Sequence, residues 1–407
     1  MMPSQARIVI VGGSFGGLTT AYELRRLLGP EAAKITLISK EPRFTFVPSL
    51  TWVAMGTRTL AQISFDLTGP LARKSVGFAN ETVTSIDVEA KLVTTTKAEH
   101  AYDFLVIATG HRSVNEALEG LGPFSGPGHS PMSPVEAEEL AGAIRRFLQQ
   151  PGPIVVGAAP GASCIGPAYE LAFELDHLLR KRKLRNVAPM TFITPEPFLG
   201  HMGMGGVGKI RQLLEGKLEE RDIKYYTSTA VTRITTDSVW ADGVGRVESA
   251  LSIVIPPLAG IDAVAQSPGL ANSKGFIPVD SHYRHHSANG VHAVGVAVAL
   301  PPVEETLVPV NFPKTGHMTE QMAHIASADI AAQISGKEGA SAQLSARCIL
   351  DMGDRGAYIA ADPVRPPRNH IPTVSEGRRW LVAKELFEKA YLWNARHGRK
   401  MPTTIGW

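Results

Sequence analysis

RIVIVGGSFGGLTTAYELRRLL, residues 7–28, decides how the rest of the chain is read. RIVIV at 7–11 is a short, uninterrupted apolar run, the pattern of a strand buried on both faces of a parallel sheet. GGSFGG at 12–17 then opens an amphipathic segment, and a second apolar strand, KITLIS at 34–39, closes a βαβ unit. Glycines in that turn let backbone approach a pyrophosphate, while the free N–H groups and positive dipole end of the following helix bind phosphate oxygens. Two positions depart from the dinucleotide pattern. Ser14 stands where G-x-G-x-x-G has its middle glycine, and Ser39, followed by Lys40, replaces the acid that ordinarily holds a ribose hydroxyl. Serine keeps its N–H and adds a small side chain, so Gly12, Ser14 and Gly17, with Ser39 and Lys40, are the expected nucleotide contacts.

Outward from this unit, YDFLVIATG at 102–110 is another buried strand ending in Thr109-Gly110, and NGVHAVGVAVALPP at 289–302 is a strand followed by a Gly-containing turn. The chain thus leaves the first fold near residue 115 and returns near 285. Between them, GPIVVGAAPGASCIGPAYELAFELDHLLRKRKLR at 152–185 again shows strand, glycine turn and helix. Its glycines fall at 157, 161 and 166, with Pro160, Cys164 and Pro167 intruding where a nicotinamide site needs close backbone, so no working NADH pocket is expected. Cys164 falls by the helix N-terminus, where dipole and free N–H groups favour a thiolate; a small buried thiol filling space is the plainer reading. The run Arg180, Lys181, Arg182, Lys183 and Arg185 reads as a solvated helix end whose cations complement the dipole.

The expected class is α/β: two Rossmann-like dinucleotide-binding domains plus a C-terminal membrane-facing segment. The first domain is discontinuous (1–115 and 285–345), the inserted domain spans 116–284, and the C-terminal region is 346–407. The 407-residue length suits two to three domains at ~150 residues each. A formal charge of +3, with no basic stripe interleaved with aromatics, argues against nucleic acid. Only two cysteines occur, which excludes a disulfide framework and a thiolate zinc cluster. No charged leader precedes the first apolar strand, so no signal peptide is expected, and no run of ~20 apolar residues supplies a transmembrane helix. Any membrane contact is therefore expected to be peripheral.

GASCIGPAYE at 161–170, FITPEPFLGHMG at 192–203, PVEETLVPVNFPKTGHM at 302–318 and CILDMGDRGAYIA at 348–360 resemble the corresponding stretches of bacterial sulfide:quinone oxidoreductases. These are two-dinucleotide-domain disulfide-reductase-like flavoproteins, related to flavocytochrome sulfide dehydrogenase. The resemblance runs from about residue 7 to 395 and implies FAD, sulfide as donor and a membrane quinone, ubiquinone or menaquinone, as acceptor. It further implies that Cys164 and Cys348 form a redox relay beside the flavin, with Glu170 and His201 near the sulfide channel as proton-handling groups. Thr109, Gly110 and Gly295 are then flavin-lining, Pro48 sits beside the ring, and Lys314 approaches its pyrimidine end, where a cation stabilises the anionic reduced form. Ile349 and Phe387 are the implied quinone contacts. Many bacterial members carry a third cysteine, and the matching Ser130-Pro131-Met132-Ser133 does not. The FAD is therefore expected to be non-covalent, released by denaturation.

The segment 378–400, RRWLVAKELFEKAYLWNARHGRK, alternates apolar and basic residues with helical spacing. Trp380, Ala383, Phe387 and Tyr391 share a stripe joined by Leu386 and Ala390, with Lys384, Glu388 and Arg396 largely off it. Such a helix lies in the headgroup region of a membrane or packs its aromatic face on the core. Three competing functions keep the same fold: an NADH:quinone oxidoreductase, disfavoured by the broken glycine pattern; an exported sulfide dehydrogenase passing electrons to a cytochrome; and a non-catalytic FAD-binding paralogue. The sequence leaves a homo-oligomer open.

Overall fold

The computed structural model describes residues 5–123, 126–339, 341–368 and 370–399; the end of the C-terminal region, 400–407, lies outside the described residues. The opening strand β1 (Ala6–Val11), helix α1 (Phe15–Leu27) and strand β2 (Ala33–Ser39) form the βαβ unit. Leu18, Ala21 and Leu24 of α1 are fully buried, each leucine contributing ~1.5–3 kcal/mol by leaving water. Arg25 and Arg26 occupy the last turn, complementing the dipole, and Gly29-Pro30 prevents continuation.

β1 lies at the centre of a five-stranded parallel sheet, ordered Val291–Ala293, Phe104–Ile107, β1, β2, Gly77–Asn80. The strand at 291–293, far along the chain, thus pairs directly with the strand at 104–107. A second parallel sheet is ordered Gly128–His129, Leu251–Ile255, Ile154–Ala158, Met190–Ile193, Ile223–Tyr226. Every residue of Ile154–Ala158 and of Leu251–Ile255 is buried, as strands covered on both faces require.

Three antiparallel strands, Ala346–Asp351, Gly356–Ala361 and Thr373–Gly377, lead into a C-terminal helix, Arg378–Arg396. The helix Gly166–Lys181 packs against the first of these strands. At Gly353 (φ +85°) the turn after that strand comes so close that an added Cβ would stand 2.4 Å from His177 Cβ. Positive φ and contact together require glycine there. This seam joins the helix Gly166–Lys181 to the strand that holds Cys348.

The basic run ends differently from expectation. Arg185 is not solvated: it is 8% exposed, pairs with Asp176 at 2.8 Å and donates to the carbonyls of Ala188 (3.0 Å), Arg221 (3.0 Å) and Asp222 (2.7 Å). Asp176 attracts it because a buried carboxylate needs several charge-assisted donors.

Candidate functional site: a thiol pair, a glycine cradle and a buried carboxylate cluster

The cradle forms where β1 meets α1. Gly12 (φ +115°) has no room for a side chain, since a Cβ would lie 2.2 Å from the Ala108 carbonyl oxygen; one on Gly17 would lie 1.7 Å from the Gly12 carbonyl oxygen. Ser14 precedes α1 in extended conformation and its hydroxyl makes no cap bond, so the first N–H groups of the helix keep no side-chain partner. Ser39 donates to the Glu41 carbonyl at 2.8 Å, and Lys40 points into solvent, its ammonium 4.0 Å from Glu41. Thr109 and Gly110 (φ +73°) follow the neighbouring strand, Gly110 facing open space. Gly295 (φ +73°) opens the turn after Val291–Ala293, its N–H donating to the Met322 sulfur at 3.2 Å.

Lys314 is built into the protein rather than paired with a surface acid. Its ammonium donates to the carbonyls of Val296 (3.0 Å) and Val298 (2.8 Å) and sits 3.7 Å from the Phe276 ring centroid. Burial brings its pKa down to about 7. His111, which sequence reasoning missed, lies close by: burial and then the Lys314 charge push its pKa down to about 4.

Cys164 and Cys348 are both free thiols in partly buried residues. Cys164 precedes the helix that begins at Gly166, and Cys348 lies on the strand packed against that helix. The Glu170 carboxylate bears on both sulfurs, and the Cys164 sulfur on that of Cys348. Of the two readings of Cys164, a thiolate at the helix start and a small buried thiol, its surroundings favour the buried thiol. Burial, then the Glu170 charge, push Cys164 up to about 11 and Cys348 up to about 12. Desolvation and a like charge outweigh the helix end, because Pro167 occupies the first turn and the thiol stands ahead of it.

Glu170 is held from three elements. It accepts from the Thr51 hydroxyl at 3.0 Å and the Asp351 backbone N–H at 2.9 Å, and it pairs with Lys384 of the C-terminal helix. Asp351 in turn accepts from the Trp52 indole at 2.8 Å and the Gly353 N–H at 2.7 Å. Glu174, one turn beyond Glu170, completes the cluster. His201 is a loop-ordering residue, 1% exposed: its Nε2 meets Glu304 at 2.8 Å, and its Nδ1 accepts the Gly203 N–H at 3.2 Å.

The C-terminal helix packs the aromatic members of its expected stripe inward and buries two charges expected to lie off it. Lys384 and Glu388 turn inward, 9% and 4% exposed, while Val382, Leu386 and Trp393 stand out at 58%, 56% and 49%. Each inward charge has a partner, Lys384 with Glu170, and Glu388 with Arg58 (2.9 Å) and the Ser49 hydroxyl, which makes their burial tolerable. Trp380 stacks on Tyr358 at 4.4 Å. Phe387 and Tyr391 join Phe15, Phe44 and Phe46 in an aromatic cluster, with Phe15 and Tyr391 centroids 5.0 Å apart and Phe46 and Phe387 6.0 Å apart. The first residue of α1 thereby touches the helix carrying Phe387. Ile349 is buried beside Cys348 and pairs across the sheet with Tyr358. Pro48 is exposed in the 3-10 turn next to Ser49.

Trp52, Thr51, Asp351, Lys384 and Glu174 all escaped the reading of the sequence. One signal was available: Glu170 and Glu174, four apart, interrupt the buried face of AYELAFEL at 168–175. Among the described residues, no helix is long and apolar enough to cross a membrane.

Residues 6–327 match the family described as pyridine nucleotide-disulphide oxidoreductase. A sulfide-quinone reductase of Aquifex aeolicus is 38% identical over 405 residues, 97% of this chain and 92% of that protein. The X-ray structure of the sulfide:quinone oxidoreductase from A. aeolicus superposes with a TM-score of 0.93 at 37% identity, covering 97% of this chain and 92% of that one. A type II NADH:quinone oxidoreductase of Staphylococcus aureus is 29% identical over 121 residues, 30% of each chain.

Proposed function

The chain belongs to the pyridine nucleotide-disulphide oxidoreductase family, among its sulfide-quinone reductases, and from that premise we propose that it oxidises sulfide through a Cys164/Cys348 relay and reduces a membrane quinone. The observation that carries the reading is the seam itself: two thiols distant in sequence, Cys164 just ahead of the helix Gly166–Lys181 and Cys348 on the strand packed against that helix.

The cofactor of this family is a flavin, and the glycine cradle fits one. Added Cβ atoms at Gly12 and Gly17 would strike backbone oxygen, which is the condition a closely approached pyrophosphate imposes. Bound there, FAD supplies the two-electron acceptor. We take it to be non-covalent, because Met132 stands where a third cysteine would offer a link. Gly12, Ser14, Gly17, Ser39, Thr109, Gly110 and Gly295 would hold it, with Lys40 at the outer rim, Pro48 beside the ring and Lys314 at the pyrimidine end. The 1–115 and 285–345 segments then act as one flavin-binding domain around the 116–284 insertion.

In the oxidised, bridged form of the pair, a hydrosulfide ion attacks one sulfur, the S–S bond breaks, and the other sulfur leaves as a thiolate. Glu170, whose charge reaches both sulfurs, is the group we assign to take the remaining S–H proton. Ile349 and Phe387, flanking the second cysteine and the aromatic cluster, are the proposed quinone contacts. Val382, Leu386 and Trp393, with Arg379 and Lys389 on the same helix, form an apolar, cation-flanked face suited to peripheral contact with a membrane surface.

Anaerobic titration with sulfide, then with decylubiquinone, tests the reading by flavin absorbance. The wild type bleaches and recovers, and Cys164→Ser and Cys348→Ser remain yellow under sulfide. Bleaching by NADH in place of sulfide would overturn it.

A further inference from the structure

Glu174 is the buried ionisable group to which the proposed chemistry assigns no task. It is 6% exposed, and neither carboxyl oxygen has a hydrogen-bond partner. Three charged groups face it: Glu170 from its own helix, Asp351 from the Cys348 strand and Lys384 from the C-terminal helix. Trp52, from the short helix Leu50–Ala54, closes the cluster with a neutral N–H directed at Asp351.

The donors are unevenly shared. Glu170 receives a hydroxyl, an amide N–H and the ammonium, while Asp351 receives the indole and an amide N–H. A buried carboxylate with no donor is less stable than a neutral carboxyl in the same place. Three carboxyls facing one ammonium in such a place cannot all ionise, so one proton is retained and Glu174 holds it. Burial, then Asp351, then Glu170 act in the same direction, and Lys384 opposes them.

We propose that Glu174 is the proton store of the thiol pair, giving up its proton when the pair is reduced and recovering it on oxidation. This rests on the Cys164/Cys348 relay proposed above. Asp351 lies three positions after Cys348 on one strand, and its backbone N–H holds the same Glu170 whose charge reaches the Cys348 sulfur. When the bridge opens, the sulfur leaving as a thiolate at Cys348 gains the proton and becomes a thiol, and Glu174 becomes a carboxylate. When that sulfur bonds again to the sulfur carried on Cys164, the two electrons released being those a flavin held in the cradle would accept, the proton returns to Glu174. No net proton is consumed by the store. Its task is to avoid a bare thiolate beside Glu170 without waiting for water to enter.

Redox-difference infrared spectroscopy on the holoenzyme tests this, with dithionite as reductant so that the outcome does not depend on sulfide as substrate. Reduction should remove a protonated-carboxyl C=O band in the wild type. The band change should be missing in Glu174→Gln and kept in Glu320→Gln, which deletes a second buried protonated carboxyl. Glu174→Asp, which retains a carboxyl, should show the band shifted. Stopped-flow bleaching by sulfide should slow at least tenfold in Glu174→Gln at unchanged flavin content. A wild type without the carboxyl change, or a Glu174→Gln variant that keeps it, overturns the proposal. A wild type that shows the change with dithionite and does not bleach with sulfide overturns the substrate instead.

Discussion

Replacing Glu320 by glutamine should make the protein more resistant to alkaline pH, and the size of the gain follows from where that carboxyl sits. Glu320 is 3% exposed on the helix Gly316–Ile334, and its Oε1, the Tyr391 hydroxyl and the Thr19 hydroxyl are buried without partners. Burial raises its pKa from 4.5 to about 8. The folded protein therefore holds a proton that the unfolded chain has already released between those two values. Stability from this group is fully present below the unfolded value and is lost as pH rises through about 8. At ~1.4 kcal/mol per pH unit of that interval, the loss is on the order of 3–5 kcal/mol by pH 9. Glutamine has the same shape, donates as the protonated acid does, and does not titrate. Thermal melting of wild type and Glu320→Gln from pH 5 to pH 9 should show the curves separating by several degrees as pH rises, the variant gaining. Parallel curves would show that the carboxyl is ionised in the fold and the reasoning about its burial is wrong.

Two further outcomes follow from the same seams. Lys384→Met should cost about 3–5 kcal/mol, because it leaves Glu170 and Asp351 buried without their cation; urea unfolding at neutral pH should show it, and adding Glu170→Gln should restore part of the loss. Gly17→Ala places a Cβ 1.7 Å from the Gly12 carbonyl oxygen, so the purified variant should carry far less flavin per chain, read from the ratio of visible to ultraviolet absorbance.

The parallel sheet of the flavin-binding region was legible because its signals are local: an apolar run, a glycine turn and an amphipathic helix in immediate succession. Gly12 and Gly17 announce a backbone constraint that any nearby residue would violate. The face of the C-terminal helix was legible only in part: Phe387 and Tyr391 pack on core aromatics as one expected reading has it, but its inward charges were missed. Apolar stripes are read on the rule that charges point outward, and here Lys384 and Glu388 point inward because Glu170, Arg58 and Ser49 wait for them from remote segments. The sequence leaves the choice between a thiolate and a buried thiol at Cys164 open for a related reason. Sequence shows its nearness to a helix start, whereas burial and Glu170, which push it up to about 11, are properties of the folded seam. Glu174 and Asp351 could be seen singly as charged letters, but their competition for one proton arises only when strand and helix meet.

The most direct test of the account is the covalent state of the two cysteines. Native oxidised protein treated with a slight excess of sulfide, alkylated without reduction and digested should yield a peptide joining Cys164 to Cys348 directly or through added sulfur atoms. Independent alkylation of both cysteines, with no such joined peptide at any sulfide concentration, would contradict it.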